Sequence, residues 1–227
     1  MAVRFRNFLQ YGGGSPLATS FSDAFQRADT LQGLGPNYLG MPRSSLQSVA
    51  ALPSCRVSEN QLQCYHDGAA GGSQVPGVVF LPVPLLNTAV YGQAQFAQAT
   101  WFSSAGADMD TGPAVMFSGD FASQNQAGYQ MEFDSPNIVL NLLTTSRIEL
   151  GAAAYTPAGG DVWRIEARPG SLANAVSVKI NGVTVISVDD ANPARPVNTG
   201  YPCFWNWAAS NTVLTVTIFT AFSAGIL

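Results

Sequence analysis

The stretch "DVWRIEARPGSLANAVSVKINGVTVISVDD", residues 161–190, decides the fold class. In "VWRIEAR", Trp163, Ile165 and Ala167 fall on one face and charged residues fall on the other, and "VSVKI" alternates in the same way. Alternation with a period of two predicts strands with one buried face. Asn181-Gly182 supplies the two positive φ angles that a type I′ turn requires, so "VTVISV" is expected to return antiparallel.

The rest of the chain repeats this pattern of short strands separated by Gly, Pro, Asn and Asp clusters. We predict about twelve strands in one all-β domain over residues 21–227, built as a two-sheet antiparallel β-sandwich. One or two short helices are also predicted. The first lies in "SDAFQRADTLQGL" (22–34), with Ser22 or Asp23 as its cap, and the second in "PRSSLQSVAAL" (42–52).

Residues 1–20 are predicted to form an extended N-terminal arm with a glycine hinge at positions 12–14. Twenty extended residues reach at most about 66–72 Å, which is long enough to lie across a neighbouring molecule. The residues expected to contact a partner subunit are Arg4, Phe5, Arg6, Phe8 and Tyr11.

Composition excludes some classes of partner. Only 11% of the 227 residues are charged, and the net charge is −4 with no basic run, so binding of nucleic acid by a positive face is not expected. A surface so polar and so weakly charged is expected to lie against a partner subunit or an uncharged ligand such as a sugar. The chain has no stretch of 18 apolar residues and no apolar leader of the signal-peptide type, so we expect a soluble protein made in the cytoplasm.

Two of the three cysteines, Cys55 and Cys64, flank "RVSENQLQ", which could form a short hairpin with its turn near 58–60. A cross-strand disulfide is conceivable on that geometry. The alternative is that these two and Cys203 are reduced and behave as small apolar residues, which is favoured for a protein without a secretion signal.

Several acidic residues are candidates for chemistry. Glu132 and Asp134 in "QMEFDSPN" project from one strand face, and two such carboxylates could share acid and base work on a glycosidic bond. Asp108 and Asp110, or Asp189 with Asp190, could contribute to a calcium site, although solvated turns are the simpler interpretation. His66, the one histidine, is interpreted as a loop residue, and no resident cofactor or metal is predicted.

An aromatic patch in "GYPCFWNWAA" is the candidate ligand-binding site. Tyr201, Trp205 and Trp207 could stack on sugar rings, and Asn206 could supply hydrogen bonds. Because alternate residues of a strand face opposite ways, Trp205 and Trp207 share one face, and Phe204 and Asn206 share the other. The alternative interpretation is that the aromatic rings are core or subunit contacts.

The opening phrase "FSDAFQRADTLQGLGPNYLG" (21–40) resembles that of the concanavalin A-like lectin/glucanase superfamily, in particular its laminin-G-like branch. Tyr38 stands where the superfamily phrase has Trp, and Thr30 where it has Gly. The phrases "GYQMEFDS", "DVWRIEARPGSL", "VSVKINGVTVISVDD" and "NTGYPCFWN" resemble successive strands. The matching positions of the opening phrase are Asp23, Phe25, Arg27, Ala28, Asp29, Leu34, Gly35 and Asn37.

The resemblance implies a concanavalin-like jelly roll whose first and last strands lie close together. It also implies that Glu132 occupies the position of the nucleophile in the glucanase motif Glu-x-Asp-x-x-Glu, whose general acid is replaced here by Asn137. An amide has no suitably acidic proton to donate, so the catalytic motif is incomplete. In the opening phrase, Phe21 and Phe25 are expected to point inward, and Arg27 and Asp29 to pair locally.

The leading functional hypothesis is a non-enzymatic structural protein of a virion, a phage capsid decoration or tail-associated subunit. It would contact other virion subunits or itself as a homo-oligomer, with binding of surface glycans as an additional role, and it would not contact a membrane. The alternative is a lectin-like carbohydrate-binding module that uses Trp205 and Trp207. The third hypothesis is a β-glucanase that acts through Glu132.

Overall fold

The computed structural model describes residues 17–29, 34–42, 55–65, 75–104, 108–109, 111–120, 125–144, 146–168, 175–196, 199–208 and 216–227. Residues 1–16 lie outside these ranges, so the predicted arm contacts at Arg4, Phe5, Arg6, Phe8 and Tyr11 stay predictions. None of the described residues forms a helix long and apolar enough to cross a membrane.

The described residues form sixteen strands, which is more than the dozen expected. In chain order they are β1 (Ser20–Asp23), β2 (Tyr38–Pro42), β3 (Cys55–Ser58), β4 (Gln61–Tyr65), β5 (Val75–Pro82), β6 (Gln95–Ser104), β7 (Asp108–Met109), β8 (Thr111–Asp120), β9 (Asn125–Asp134), β10 (Asn137–Leu143), β11 (Arg147–Ala154), β12 (Val162–Ala167), β13 (Val176–Ile180), β14 (Val183–Val188), β15 (Tyr201–Ala208) and β16 (Val216–Ile226).

These strands make two antiparallel sheets, as predicted. Sheet I has the order β14-β13-β12-β6-β16-β4-β3, and sheet II has the order β11-β10-β9-β8-β15-β5-β2. β1 adds to sheet I by pairing with the end of β16, with Ser20 opposite Gly225, and β7 adds to sheet II by pairing with β9. The first and last described strands are therefore neighbours, as the resemblance implied.

The inward faces of the two sheets form one hydrophobic core. Trp163 and Ile165 of β12 are fully buried in it and share it with residues of sheet II such as Met131, Leu140 and Phe204. The alternation of "VWRIEAR" is thus confirmed, because Arg164 and Glu166 lie on the opposite face of sheet I.

Two short hairpins depend on residues in left-handed backbone conformations. Asn181 and Gly182 have φ of 51° and 81° and join β13 to β14, which is the turn that the sequence predicts. Glu59 and Asn60 have φ of 54° and 59° and join β3 to β4. The second hairpin places Cys55 directly opposite Cys64, and the two form a cross-strand disulfide, so the reduced alternative is wrong for this pair. Cys203 is free and buried.

The segment after β1 is an irregular corner and not a helix. Residues 22–23 belong to β1 and residues 24–29 follow without regular structure, so the helix predicted over 22–34 is wrong for the described part of that segment. Phe25 explains the difference, because its φ of 56° is left-handed and incompatible with a right-handed helix. The helix predicted over 42–52 lies outside the described residues except for Pro42, which ends β2. Within the described ranges, the one helical element is a 3₁₀ turn at Val83–Leu85.

The corner is held by an ion pair. Both Nη1 contacts of Arg27 with the Asp23 carboxylate are 2.8 Å long, and Nη2 donates to the Leu34 carbonyl oxygen at 2.6 Å. Asp23 also accepts the backbone N–H of Phe25 at 2.7 Å, which stabilises the left-handed residue whose ring is fully buried. Local pairing of Arg27 is confirmed.

Asp29 behaves differently from the expectation of a local pair. Its carboxylate accepts hydrogen bonds from Ser58 Oγ at 2.9 Å and from the Glu59 backbone N–H at 3.0 Å. The acidic residue therefore ties the corner to the β3–β4 turn, which lies about thirty residues further along the chain.

We expect Arg27→Ala to lower the free energy of unfolding by about 1.5–3 kcal/mol, because it removes charge-assisted bonds and leaves the largely buried Asp23 without its counterion. Denaturant unfolding followed by tryptophan fluorescence measures the effect. Arg27→Lys is the matched control, since it keeps the charge but not the planar fork of donors. Its free energy of unfolding should fall between those of the wild type and of Arg27→Ala. An alanine variant with the parent's midpoint would show that the corner is not held this way.

Candidate functional site

Strand β15, which carries the predicted ligand-binding residues, lies inside sheet II between β8 and β5. Phe204 enters the core between the sheets, whereas Trp205 lies on the opposite face of sheet II, as the alternation predicted. Trp205 is only 2% exposed and Asn206 is 6% exposed. Trp205 therefore offers no open ring face for stacking on a sugar, and the core-contact interpretation fits it better.

Tyr201, at the start of β15, is half-buried and packs edge-to-face on Tyr91 with 5.0 Å between ring centroids. Burial, and to a smaller extent the neighbouring Tyr91, raise the pKa of its hydroxyl. The side chain of Trp207 lies outside the described residues. Ligand binding by these residues stays a prediction.

The outward face of sheet II carries a second apolar cluster around Trp205. Trp205 Nε1 donates to the Met131 carbonyl oxygen at 3.3 Å, and its own carbonyl accepts from Thr111 Oγ1 at 2.9 Å. A Cβ at Gly112 would lie 2.8 Å from that same Met131 oxygen, so only glycine fits between β8 and β9 at this position. The buried members of the cluster are Val79, Leu81, Ala114, Phe117, Leu143, Cys203 and Trp205.

Glu132, the residue at the nucleophile position of the glucanase motif, lies on this outward face of sheet II and is fully buried. Its carboxylate accepts hydrogen bonds from Asn141 Nδ2 at 2.9 Å and from Gln130 Nε2 at 3.3 Å, and it forms an ion pair with Arg147. A buried carboxylate with such partners is stabilised in its charged form as a structural acceptor. It is not presented to a ligand.

The two amides that serve Glu132 lie directly opposite each other, Asn141 on β10 and Gln130 on β9. Each directs its NH₂ group to the carboxylate, and within the described residues Asn141 Oδ1 and Gln130 Oε1 have no hydrogen-bond partner. The arrangement thus gives the carboxylate its hydrogen bonds and leaves two neutral amide oxygens without them. This is expected, because burying an unpaired charge costs more free energy than burying an unpaired neutral acceptor.

The remaining positions of the glucanase motif do not assemble around Glu132. Asp134 is exposed at the end of β9, and the chain reverses through a cis Ser135-Pro136 bond. Asn137 consequently lies on β10, paired with Asp134, and not further along the strand that carries the nucleophile position. The incomplete motif expected from the sequence is therefore also interrupted in space.

The other acidic candidates do not form a metal site among the described residues, where no cluster of three potential ligands occurs. Asp190 accepts the Tyr129 hydroxyl at 2.6 Å and the Asn192 backbone N–H at 2.9 Å, so it has a structural role. Burial, followed by the bond to Asp190, raises the pKa of Tyr129 well above its ordinary value. His66, Asp110 and the side chain of Asp108 lie outside the described residues.

Gln130, Asn141 and Arg147 were not among the residues predicted from the sequence. The available signal was modest: Asn141 interrupts the apolar run "IVLNLL", and Gln130 and Glu132 alternate with apolar residues in "YQMEF". The sequence does not reveal that Arg147, at the start of β11, reaches back two strands to Glu132, since that contact depends on the register of three strands.

No protein-family model matches the chain, and no curated protein sequence matches it. Solved structures do match over nearly the whole length. A protein of unknown function with a galectin-like fold from Bacillus subtilis superposes with a TM-score of 0.60 at 8% identity, over 90% of this chain and 94% of that one. SCLam, a non-specific endo-beta-1,3(4)-glucanase from family GH16, gives 0.54 at 10% identity, over 97% and 98%.

Lectin II from Ulex europaeus gives a TM-score of 0.53 at 12% identity, over 92% of this chain and 98% of that one. At identities this low, the likeness shows the fold alone. The chain has the concanavalin-like jelly-roll fold that the sequence resemblance indicated. A lectin and a glycoside hydrolase share that fold, so function has to be argued from the residues of this chain.

We expect Glu132→Gln to lower the free energy of unfolding by about 1–3 kcal/mol, because the amide cannot satisfy both neighbouring amides and the arginine as the carboxylate does. Glu149→Gln on the adjacent strand β11 is the matched control: Glu149 is exposed, and its replacement should change stability by less than about 0.5 kcal/mol. Equal stability of the two variants in thermal and denaturant unfolding would contradict a structural role for Glu132.

Proposed function

We propose that this chain is a non-catalytic binding protein whose ligands are glycans. The observation that carries the non-catalytic part is the state of Glu132. It is fully buried, and two amides and an arginine engage it.

A retaining glycosidase needs two carboxyl groups about 5–5.5 Å apart across the scissile bond, one as nucleophile and one as acid. In this chain the first is inaccessible, and the position of the second is Asn137 on another strand. Neither the nucleophilic step nor the protonation of a leaving alcohol has a residue to perform it at this position. Asn137 cannot take the place of the general acid, because an amide has no suitably acidic proton to donate.

Glycans are proposed as the ligands on two grounds. The fold is shared with a lectin and with a β-glucanase, both of which are named for what they do with saccharides. The composition points the same way, since a chain with only 11% charged residues and many hydroxyl and amide side chains suits a polar ligand that is bound largely through hydrogen bonds. The first ground is an analogy of fold and the second a property of this chain.

We expect the protein to bind polysaccharide without cleaving it. Affinity electrophoresis in gels containing laminarin, galactan or pectin measures retardation, and a reducing-end assay on the same polymers with excess protein measures hydrolysis. Retardation with no release of reducing ends supports the proposal. Release of reducing ends that Glu132→Gln abolishes would overturn it.

A more specific proposal is that the protein is a structural subunit of a virion, built into a capsid surface or tail, where glycan binding would serve attachment. It is supported by the low charge and by the composition of residues 1–20, with their glycine hinge and five aromatic or basic contact candidates. In such a role the N-terminal segment would lie against a neighbouring subunit.

We expect deletion of residues 1–16 to reduce the mass of the particle or oligomer in solution while the sandwich remains folded, because the contact residues would be lost, whereas β1 and Ala18, which packs against the core, would be retained. Size-exclusion chromatography with light scattering measures the mass, and circular dichroism monitors the fold. If the full chain is a strict monomer that the deletion leaves unchanged, the subunit role fails.

A further inference from the structure

The outward face of sheet I carries a cluster of charged side chains centred on Glu166, which we term the Glu166 cluster. Glu166 Oε1 accepts from Arg164 Nε at 2.7 Å and from Lys179 Nζ at 2.9 Å, and Oε2 lies 3.5 Å from Arg168 Nη2. The Glu166 side chain is 4% exposed, whereas the three cations are 25%, 27% and 49% exposed for Arg164, Lys179 and Arg168. The carboxylate thus lies beneath the cations.

The cluster has an excess of positive charge. Three cations surround one carboxylate, which leaves two positive charges beyond neutrality in a chain whose net charge is −4. Burial alone would raise the pKa of Glu166, but the hydrogen bonds and charges of Lys179 and Arg164 outweigh it and hold the pKa below its ordinary value. Glu166 is therefore ionised at neutral pH, and it offsets only one of the three positive charges around it.

Arg164 is fixed from three sides. Its Nη1 donates to Gln98 Oε1 at 3.3 Å, and its guanidinium lies 3.9 Å from the centroid of the Phe96 ring. The third contact is the hydrogen bond from Arg164 Nε to Glu166 Oε1. An arginine held in this way has lost its rotamer freedom before any ligand arrives, so little ordering cost remains to be met on binding.

Strand register extends the cluster into a row across the sheet. Lys179 lies opposite Arg164, Arg164 opposite Gln98, Gln98 opposite Ser223, and Ser223 opposite Ser22. These five side chains, which we term the polar row, belong to β13, β12, β6, β16 and β1. Each has at least one inward apolar neighbour on its strand, and all are half-buried or exposed. Four inter-strand steps give a row of about 19 Å.

We propose that the polar row and the Glu166 cluster bind a saccharide chain that carries carboxylate groups, a polyuronate. This inference rests on the proposed glycan binding and names its ligand class and its place. The amide and hydroxyls of Gln98, Ser223 and Ser22 match sugar hydroxyls, and the cationic end matches a carboxylate. One polar side chain per strand over five strands makes an elongated row, which suits a polymer chain better than a compact ligand.

The donors needed for a carboxylate are present at the cationic end. An ammonium has three donors and a guanidinium five. Within the described residues Lys179 uses one of its donors for Glu166, and Arg168 makes one side-chain contact, also with Glu166. A uronate carboxylate between Lys179 and Arg168 would accept charge-assisted hydrogen bonds, and it would neutralise part of the excess charge.

Polygalacturonate and its fully methyl-esterified form are the test ligands, because they share one backbone and differ only in the free carboxylate. Isothermal titration calorimetry at low and high salt measures binding. We expect the wild type to bind polygalacturonate about tenfold or more tightly than the ester, and to lose much of that preference at high salt.

Two variants test the location, Lys179→Gln and Arg168→Gln, each of which should weaken binding of polygalacturonate about tenfold and leave binding of the ester unchanged. Arg56→Gln is the matched control. It removes one positive charge from β3 at the far edge of the same sheet, about 19 Å from Arg164 by strand spacing, and should retain the affinity of the wild type. Thermal unfolding of each variant establishes that it is folded.

Glu166→Gln separates a ligand-binding role from a merely structural one. Loss of the carboxylate releases Lys179 and Arg164 for the ligand, so a folded Glu166→Gln protein should bind polygalacturonate several-fold more tightly. A purely structural network predicts no gain. If this variant does not fold, the comparison of Lys179→Gln with Arg56→Gln still decides the proposal.

Each of the remaining outcomes overturns either the polyuronate inference or the proposed function. Equal affinity for polygalacturonate and its ester overturns the polyuronate inference and leaves the proposed function standing. Equal affinity for polyglutamate of the same charge density also overturns it, since the surface would then recognise acidic chains of any kind, including proteins. Absence of binding to any glycan, acidic or neutral, overturns the proposed function itself.

Discussion

Contact between aromatic rings of the two sheets is the interaction on which the rest of the structure depends. Phe204 of sheet II lies edge-on to both Phe219 and Phe222 of β16, at 5.1 and 6.0 Å between centroids, and Phe219 in turn meets Trp163 of β12 at 5.9 Å. Such pairs contribute about 0.5–1.5 kcal/mol each beyond the area that they bury. They fix β16 against sheet II, and β16 sets the positions of β1, β4 and β6, which pair directly with it.

Once the inward faces are fixed, the outward faces follow from alternation, and each sheet places a buried glutamate there. Glu132 on sheet II has two amides and one arginine as partners, so its charge is satisfied and covered. Glu166 on sheet I has three cations and is outnumbered. A buried glutamate on the outward face of sheet II thus has its charge fully compensated. A buried glutamate on the outward face of sheet I leaves an excess of positive charge that is available to a ligand.

The sequence predicted those features that depend on local pattern. The two-residue turn at Asn181-Gly182 and the inward face of β12 follow from period and turn chemistry, and the resemblance of the opening phrase indicated the fold and the inward position of Phe25. The features that it did not predict depend on register between distant strands. Arg147 reaching Glu132, Asp29 reaching the turn after β3, and the polar row of sheet I each join segments whose pairing offset no local pattern records.

The polar row includes Lys179, which is the single lysine of the chain, whereas nine arginines supply the other basic side chains. Amine-reactive reagents leave guanidinium groups untouched, so a fluorophore or crosslinker attached to a lysine amine of this protein can be attached at one position only. That position faces outward on sheet I, beside Arg164. Lys179 is therefore the one side-chain amine that such a reagent labels, and a label attached there reports on the outward face of sheet I.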